Sequence, residues 1–159
     1  MMHNPRGFAL LVSILLATVA VTLGVSLIDI AYKQLILSST AKQSQFGFYA
    51  ADSALECALY WDQKYNAFRY ETPMPIPSSE LRCSQNPLLS YTSEVRGSGA
   101  SQHRWTQFNV RCTSSGTATN AQVTVYKYQT GSTTIYANGY STCLSGDQRR
   151  VERGLKVFY

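Results

Sequence analysis

Residues Arg6–Asp29 read RGFALLVSILLATVAVTLGVSLID. No charge falls between Arg6 and Asp29, and Phe8–Ile28 has the roughly 20 apolar residues that carry a helix across a bilayer. Gly7 lies in front of this run. A secretory signal places its small-residue cleavage site behind an apolar region of about 7–15 residues. Here no Ala-x-Ala site closes the run before the charged segment Asp29–Lys33. A peptidase cutting after Gly7 removes a short polar leader and leaves the apolar helix on the protein. The other reading is an uncleaved signal anchor in which Gly7 is incidental. In both, Arg6 keeps the N-terminus in the cytoplasm and places Asp29 onward outside, as a single-pass protein of the cytoplasmic membrane.

Working outward, no proline interrupts Phe8–Asn66. The pattern predicts one helix, roughly 85 Å long if continuous to Tyr65 at 1.5 Å per residue. Its outer half is amphipathic: Phe48, Ala51, Leu55, Ala58, Leu59 and Asp62 recur at helical spacing, with only Asp62 polar. Gly24 and Gly47 are weak points of about 1 kcal/mol each against alanine. Gly24 reads either as a point of local melting or as a small residue for close helix packing.

Residues 67–102 predict a loop. Pro73-Met74-Pro75-Ile76-Pro77 is held extended, because each proline moves its predecessor away from helix. Leu88–Arg96 has room for a short strand. Beyond it, Trp105–Cys112, Ala121–Gln129, Thr133–Tyr140 and Arg150–Tyr159 are rich in β-branched and aromatic residues with near-alternation. Val123, Val125 and Tyr128 are expected to face a core, with Thr124, Tyr126 and Lys127 outward. The sheet needs an apolar surface to cover its inner face, and the helix stripe Phe48–Leu59 supplies it. The expected fold is α+β: a long N-terminal membrane-spanning helix whose outer half packs on a C-terminal antiparallel sheet of four strands, a lollipop. The segments are 1–7 leader, 8–28 membrane helix, 29–66 amphipathic helix, and 67–159 loop and sheet.

Four cysteines, Cys57, Cys83, Cys112 and Cys143, in a segment placed outside the membrane suggest two disulfides. They contain no Cys-x-x-Cys pair and no nearby histidine, which argues against a metal site. Three pairings are open. The favoured one is Cys57–Cys83, tying the helix to the loop, with Cys112–Cys143 closing the sheet. No nucleophile, phosphate-loop or metal motif points to an enzyme or a cofactor. His103 stands alone, and Asp52 and Glu56 read as a solvated helix face. Charge is uneven: residues 81–159 carry nine Lys/Arg against Glu94, Asp147 and Glu152, a net of +6, whereas residues 8–80 sum to −2. A basic, tyrosine-rich head suits an anion such as DNA, with Arg149, Arg150 and Arg153 as the contact. The plainer reading is favoured: these charges meet acidic helix segments of neighbouring subunits or water.

Arg6-Gly7-Phe8-Ala9-Leu10-Leu11-Val12-Ser13 resembles the N-terminus of type IV prepilins and pseudopilins, closest to minor pilins with a PilX-type start. The resemblance extends into Gln45–Asp62, where aromatic and alanine residues precede Cys57-Ala58-Leu59-Tyr60-Trp61-Asp62, and to Arg149-Arg150-Val151-Glu152-Arg153. It implies a pilin-like fold, cleavage between Gly7 and Phe8 by prepilin peptidase, methylation of Phe8, and assembly with other pilins or pseudopilins on an inner-membrane platform into a cell-surface filament. Val12 departs from the family. Major pilins usually carry a glutamate there, which is thought to pair with a neighbour's amino terminus. A buried carboxylate is costly unless paired, and Val12 implies a minor, non-shaft subunit. The rival is a signal-anchored binding module, an adhesin or DNA receptor, that does not polymerise.

Overall fold

The structure is a computed structural model that describes residues 5–71, 76–77, 79–83, 86–112, 119–144 and 146–159. The start of the expected leader (1–4), residues 73–75 of the proline-rich loop and the turn around Gly116 lie outside the described residues. The chain divides into two units, Met1–Ser39 and Thr40–Tyr159.

Helix α1 spans Pro5–Tyr65. Pro5 suits the first turn, where its missing N–H costs no hydrogen bond. In the first unit the large apolar side chains from Phe8 to Leu37 are all solvent-exposed. The helix carries a window long and apolar enough to cross a membrane, none of it buried. An exposed i,i+4 ion pair, Lys33 to Asp29 at 3.5 Å, follows the apolar run.

In the second unit the helix turns a face of small residues inward. Gly47, Ala50, Ala51, Ala54, Ala58 and Asp62 are buried. Phe48, expected on this face, is 45% exposed. The reason is the closeness of the sheet: a Cβ added to Gly139 would lie 2.2 Å from both Ala51 N and Gly47 O. No aromatic ring fits such a gap, so Phe48 is turned away. The helix ends at Tyr65 rather than Asn66. Asn66 adopts φ 49°, a left-handed conformation that asparagine tolerates. From there the Ala67 N–H reaches back to Trp61 O at 3.1 Å.

A short ladder pairs β1 (Arg82–Cys83) with β2 (Asn86–Pro87). The main sheet is an antiparallel meander of β3 (Leu89–Arg96), β4 (His103–Arg111), β5 (Thr119–Tyr128), β6 (Thr133–Tyr140) and β7 (Glu152–Phe158), in that spatial order. It has five strands, not four: Leu89–Arg96 forms the edge beside β4. The inner face carries Phe108, Val123, Val125, Ile135 and Ala137, all essentially buried against Ala54 and Ala58 of the helix. Phe68 stacks on Phe108 with centroids 5.6 Å apart. On β5 the expected placement of the last two residues is reversed. Side chains alternate strictly along a strand, so the inward phase of Val123 and Val125 carries Lys127 inward and Tyr128 outward.

Disulfides join Cys57 to Cys83 and Cys112 to Cys143. The first pins α1 to β1. The second links the end of β4 to the segment after β6.

Candidate functional site

The apolar surface of α1 begins at Phe8, which is 74% exposed, and includes Val12. Four hydroxyls, Ser13, Thr18, Thr22 and Ser26, interrupt its hydrocarbon character, and the first three are satisfied one turn back on their own helix. Ser13 Oγ donates to Leu10 O at 2.9 Å, Thr18 Oγ1 to Leu15 O at 2.9 Å, and Thr22 Oγ1 to Val19 O at 2.8 Å. These three residues therefore present no unmet donor to a lipid or a neighbouring helix. Its own turn of helix aside, Gly24 has no atom of the described residues within 4 Å of where a Cβ would stand. Gly7 is helical, so a cut at Gly7–Phe8 would fall within the first turns of α1.

The Cys57–Asp62 run, singled out for its family likeness, is a structural joint. Cys57 bonds to Cys83, Ala58 is fully buried, and the Trp61 Nε1–H donates to Arg82 O at 2.9 Å. Two side chains one turn apart thus hold the same short strand. Asp62, the lone polar residue of the predicted stripe, is 4% exposed. Its Oδ2 accepts from Lys127 Nζ at 2.7 Å and from the Tyr159 hydroxyl at 2.6 Å. Burial, the hydrogen bond to this carboxylate and its negative charge push the Tyr159 phenol well above its usual range, so it remains a neutral donor. Removing one partner of such a pair leaves an uncompensated buried charge, at a cost of about 3–5 kcal/mol. The sequence shows half of this network: Asp62 stands out on its stripe, whereas Lys127, expected outward, points inward to it.

Arg104 is also an inward charge. It is 5% exposed, and its Nε donates to Tyr70 O at 2.9 Å and its Nη1 to Ser93 Oγ at 3.2 Å. Beside it, burial raises the Tyr91 phenol to about 12.

The three arginines expected to form an anion contact diverge. Arg149 is exposed, with its backbone N–H on Asp147 Oδ1 at 2.9 Å. The Arg150 guanidinium lies 3.7 Å over the Tyr140 ring. Arg153 Nε donates to Ser44 Oγ on α1 at 2.7 Å. One of the three thus braces the sheet on the helix, and they do not act as a single patch. His103, expected to stand alone, lies between two tyrosines on the sheet, 5.4 Å from the Tyr126 and Tyr128 rings. Among the described residues no group of three or more His, Cys, Asp or Glu could hold a metal ion. Protein-family models, curated proteins and solved structures were each compared with this chain, and none matches it.

Proposed function

We propose that this chain is a minor, non-shaft subunit of a type IV pilus or a type II secretion-like pseudopilus, processed after Gly7 and assembled through its apolar helix. One observation carries the reading. From Phe8 to Leu37 the large apolar side chains of the helix are solvent-exposed among the described residues, and Ser13, Thr18 and Thr22 bond their own backbone. Such a surface has two stable environments, hydrocarbon and a bundle of like helices. A subunit that moves from the first to the second needs a helix compatible with both. Gly7 ahead of the apolar run lets a peptidase remove the polar start while retaining the helix. In this reading the N-terminus faces the cytoplasm, and the disulfide-bonded unit lies outside, where cystines persist. Val12 supplies no carboxylate for a neighbour's amino terminus, which suits a subunit that is sparse or sits at a filament end.

Intact-mass analysis of the protein extracted from membranes tests this. The expected species lacks Met1–Gly7 and carries one added methyl group on Phe8. A mature protein that retains Met1 would instead be a signal-anchored module, and the assembly reading would fall. Gly7→Ala is expected to block cutting while leaving membrane insertion unchanged.

A further inference from the structure

The face of the sheet turned away from α1 carries a row of residues to which every strand contributes one. Arg96 on β3 lies over Trp105 of β4, its guanidinium carbon 3.6 Å from the ring centroid. Trp105 stands directly opposite Tyr126 of β5 in the register. Tyr126 meets Tyr136 of β6 edge-on, with centroids 5.7 Å apart. Tyr136 in turn stands opposite Lys156 of β7, whose ammonium lies 5.2 Å from its ring centroid. The order across the sheet is cation, ring, ring, ring, cation. Because Arg96 pairs with His103 and Tyr136 with Thr124, the row runs obliquely: roughly 19 Å across the strands at about 4.8 Å each, and roughly 14 Å along them. Tyr136 is 39% exposed, and Arg96 and Lys156 are exposed as well.

Hydrophobic burial does not account for this row. The same strands bury their apolar residues on the other face, and an outward ring on a water-facing strand is not needed for the core. The chemistry of the row is that of a stacking surface bounded by positive charge. Single-stranded nucleic acid presents the complement, flat bases joined by phosphates, and proteins that bind it combine aromatic platforms with cations. The relative tilt of the rings separates this ligand from a flat polysaccharide ribbon. Tyr126 and Tyr136 are 80° apart, so no planar chain of sugars lies flush on both. A single strand can turn each base about its own bond to meet each ring. Charge points the same way, since residues 81–159 carry nine Lys/Arg against three acids. Arg96 is itself paired with Glu94, yet a guanidinium has five N–H donors, and one carboxylate does not occupy them all. Among the described residues Lys156 has no ion-pair partner.

We propose that the solvent face of the sheet binds single-stranded nucleic acid, with Trp105, Tyr126 and Tyr136 as stacking surfaces and Arg96 and Lys156 as phosphate contacts. The site is distinct from Arg149, Arg150 and Arg153. It is also independent of how the N-terminal helix is used, so its failure leaves the state of Phe8 unaffected.

The test is fluorescence anisotropy with the full chain in detergent micelles and a labelled oligothymidylate. The comparison probes are an abasic strand of equal length, a duplex of equal length and a neutral chito-oligosaccharide. The thymidylate is expected to bind at least about fivefold more tightly than the abasic strand, the loss of even one stacked base being worth that much. Tyr136→Leu should weaken binding at least about fivefold, while Tyr136→Phe, which keeps the ring, should restore it. Lys156→Gln should lower the slope of log affinity against log salt by about 0.7. Arg149→Gln should leave binding unchanged. Circular dichroism and the disulfide map verify that each variant is folded. Equal affinity for the abasic strand, preference for the duplex, binding of the sugar in its place, or no binding to the thymidylate would each overturn the proposal.

Discussion

One helix serves two regions of this molecule, and the regions use opposite side chains. From Phe8 to Leu37 the large apolar groups are exposed on every side, and among the described residues none covers them. In residues 40–65 the most buried positions are glycine and alanine, with Asp62 at the end, and large rings such as Phe46, Phe48 and Tyr49 are the exposed ones. The contrast follows from what each segment packs against. Hydrocarbon rewards bulk and needs no exact fit. A sheet at backbone contact distance allows only small residues. Hydropathy alone therefore describes the first region well and the second poorly, since the residues that matter most in the second are the least hydrophobic.

The sharpest way to break the comparison is to add a single methyl group at the contact. A Cβ on Gly139 would stand 2.2 Å from two backbone atoms of the helix, Ala51 N and Gly47 O. Neither atom can rotate away. Gly139→Ala is expected to cost more than the usual 1–3 kcal/mol of overpacking and to remove cooperative thermal unfolding of residues 40–159. Circular dichroism at increasing temperature reads this directly. A variant that melts like the parent would show that the helix and sheet are not held in backbone contact.

The next largest effect concerns the covalent ties, which are confined to the second region. With sequence separations of 26 and 31, each disulfide is worth about 3–4 kcal/mol in the chain-entropy account. The pair Cys112→Ser with Cys143→Ser should lower stability by that amount in chemical denaturation and should leave helix content in micelles from residues 5–39 unchanged.

The buried ion pair comes third. Lys127→Met removes the cation from a carboxylate whose side chain is 1% exposed, with an expected loss of about 3 kcal/mol. Adding Asp62→Leu should recover most of it, because the second change removes the stranded charge. A double variant no better than the single one would mean that the pair contributes more than mutual compensation. Tyr159→Phe should cost about 1.5 kcal/mol, the lower end for a hydrogen bond to a charged group. Its pH dependence has a defined sign. The folded-state phenol titrates above its unfolded value, so its contribution is complete below about pH 10, the ordinary tyrosine value, and is lost as pH rises beyond it.

These residues also show where sequence reading succeeded and where it stopped. The helix was legible because no proline interrupts it and because the apolar run has a clear start at Phe8. Its end was legible to within one residue; the left-handed turn at Asn66 was not. Asp62 stood out as the one polar residue on an apolar stripe, but its partner was missed. Lys127 was judged by its charge and Tyr128 by its ring, although Val123 and Val125 had already fixed the phase of the strand. The edge strand Leu89–Arg96 was only marginally visible, because its pattern of Ser, Thr and Tyr has little apolar contrast. The outer row from Arg96 to Lys156 was not legible at all. Its members lie on five separate strands, and only the pairing of those strands brings them side by side, two pairs directly opposite and two on the diagonal.

The smallest expected effect sharpens the comparison by reversing its sign. Gly24 and Gly47 belong to one helix, and both cost helix stability relative to alanine by about 1 kcal/mol. Around Gly24, its own turn of helix aside, no atom of the described residues lies within 4 Å of an added Cβ. Gly24→Ala should thus recover that energy and slow amide hydrogen exchange near residue 24 about fivefold in micelles. At Gly47 an added Cβ meets the carbonyl oxygens of Gly139 and Val151 at 3.3 Å, both backbone atoms. There the propensity gain is expected to be more than offset, and Gly47→Ala should lower the melting temperature of residues 40–159. The same substitution then stabilises one region and destabilises the other. If Gly24→Ala also slows filament assembly despite the steadier helix, the space beside Gly24 is filled by a neighbouring helix in the filament. If assembly is unchanged, no neighbour comes close at Gly24, and it is a weak point that the membrane segment simply tolerates.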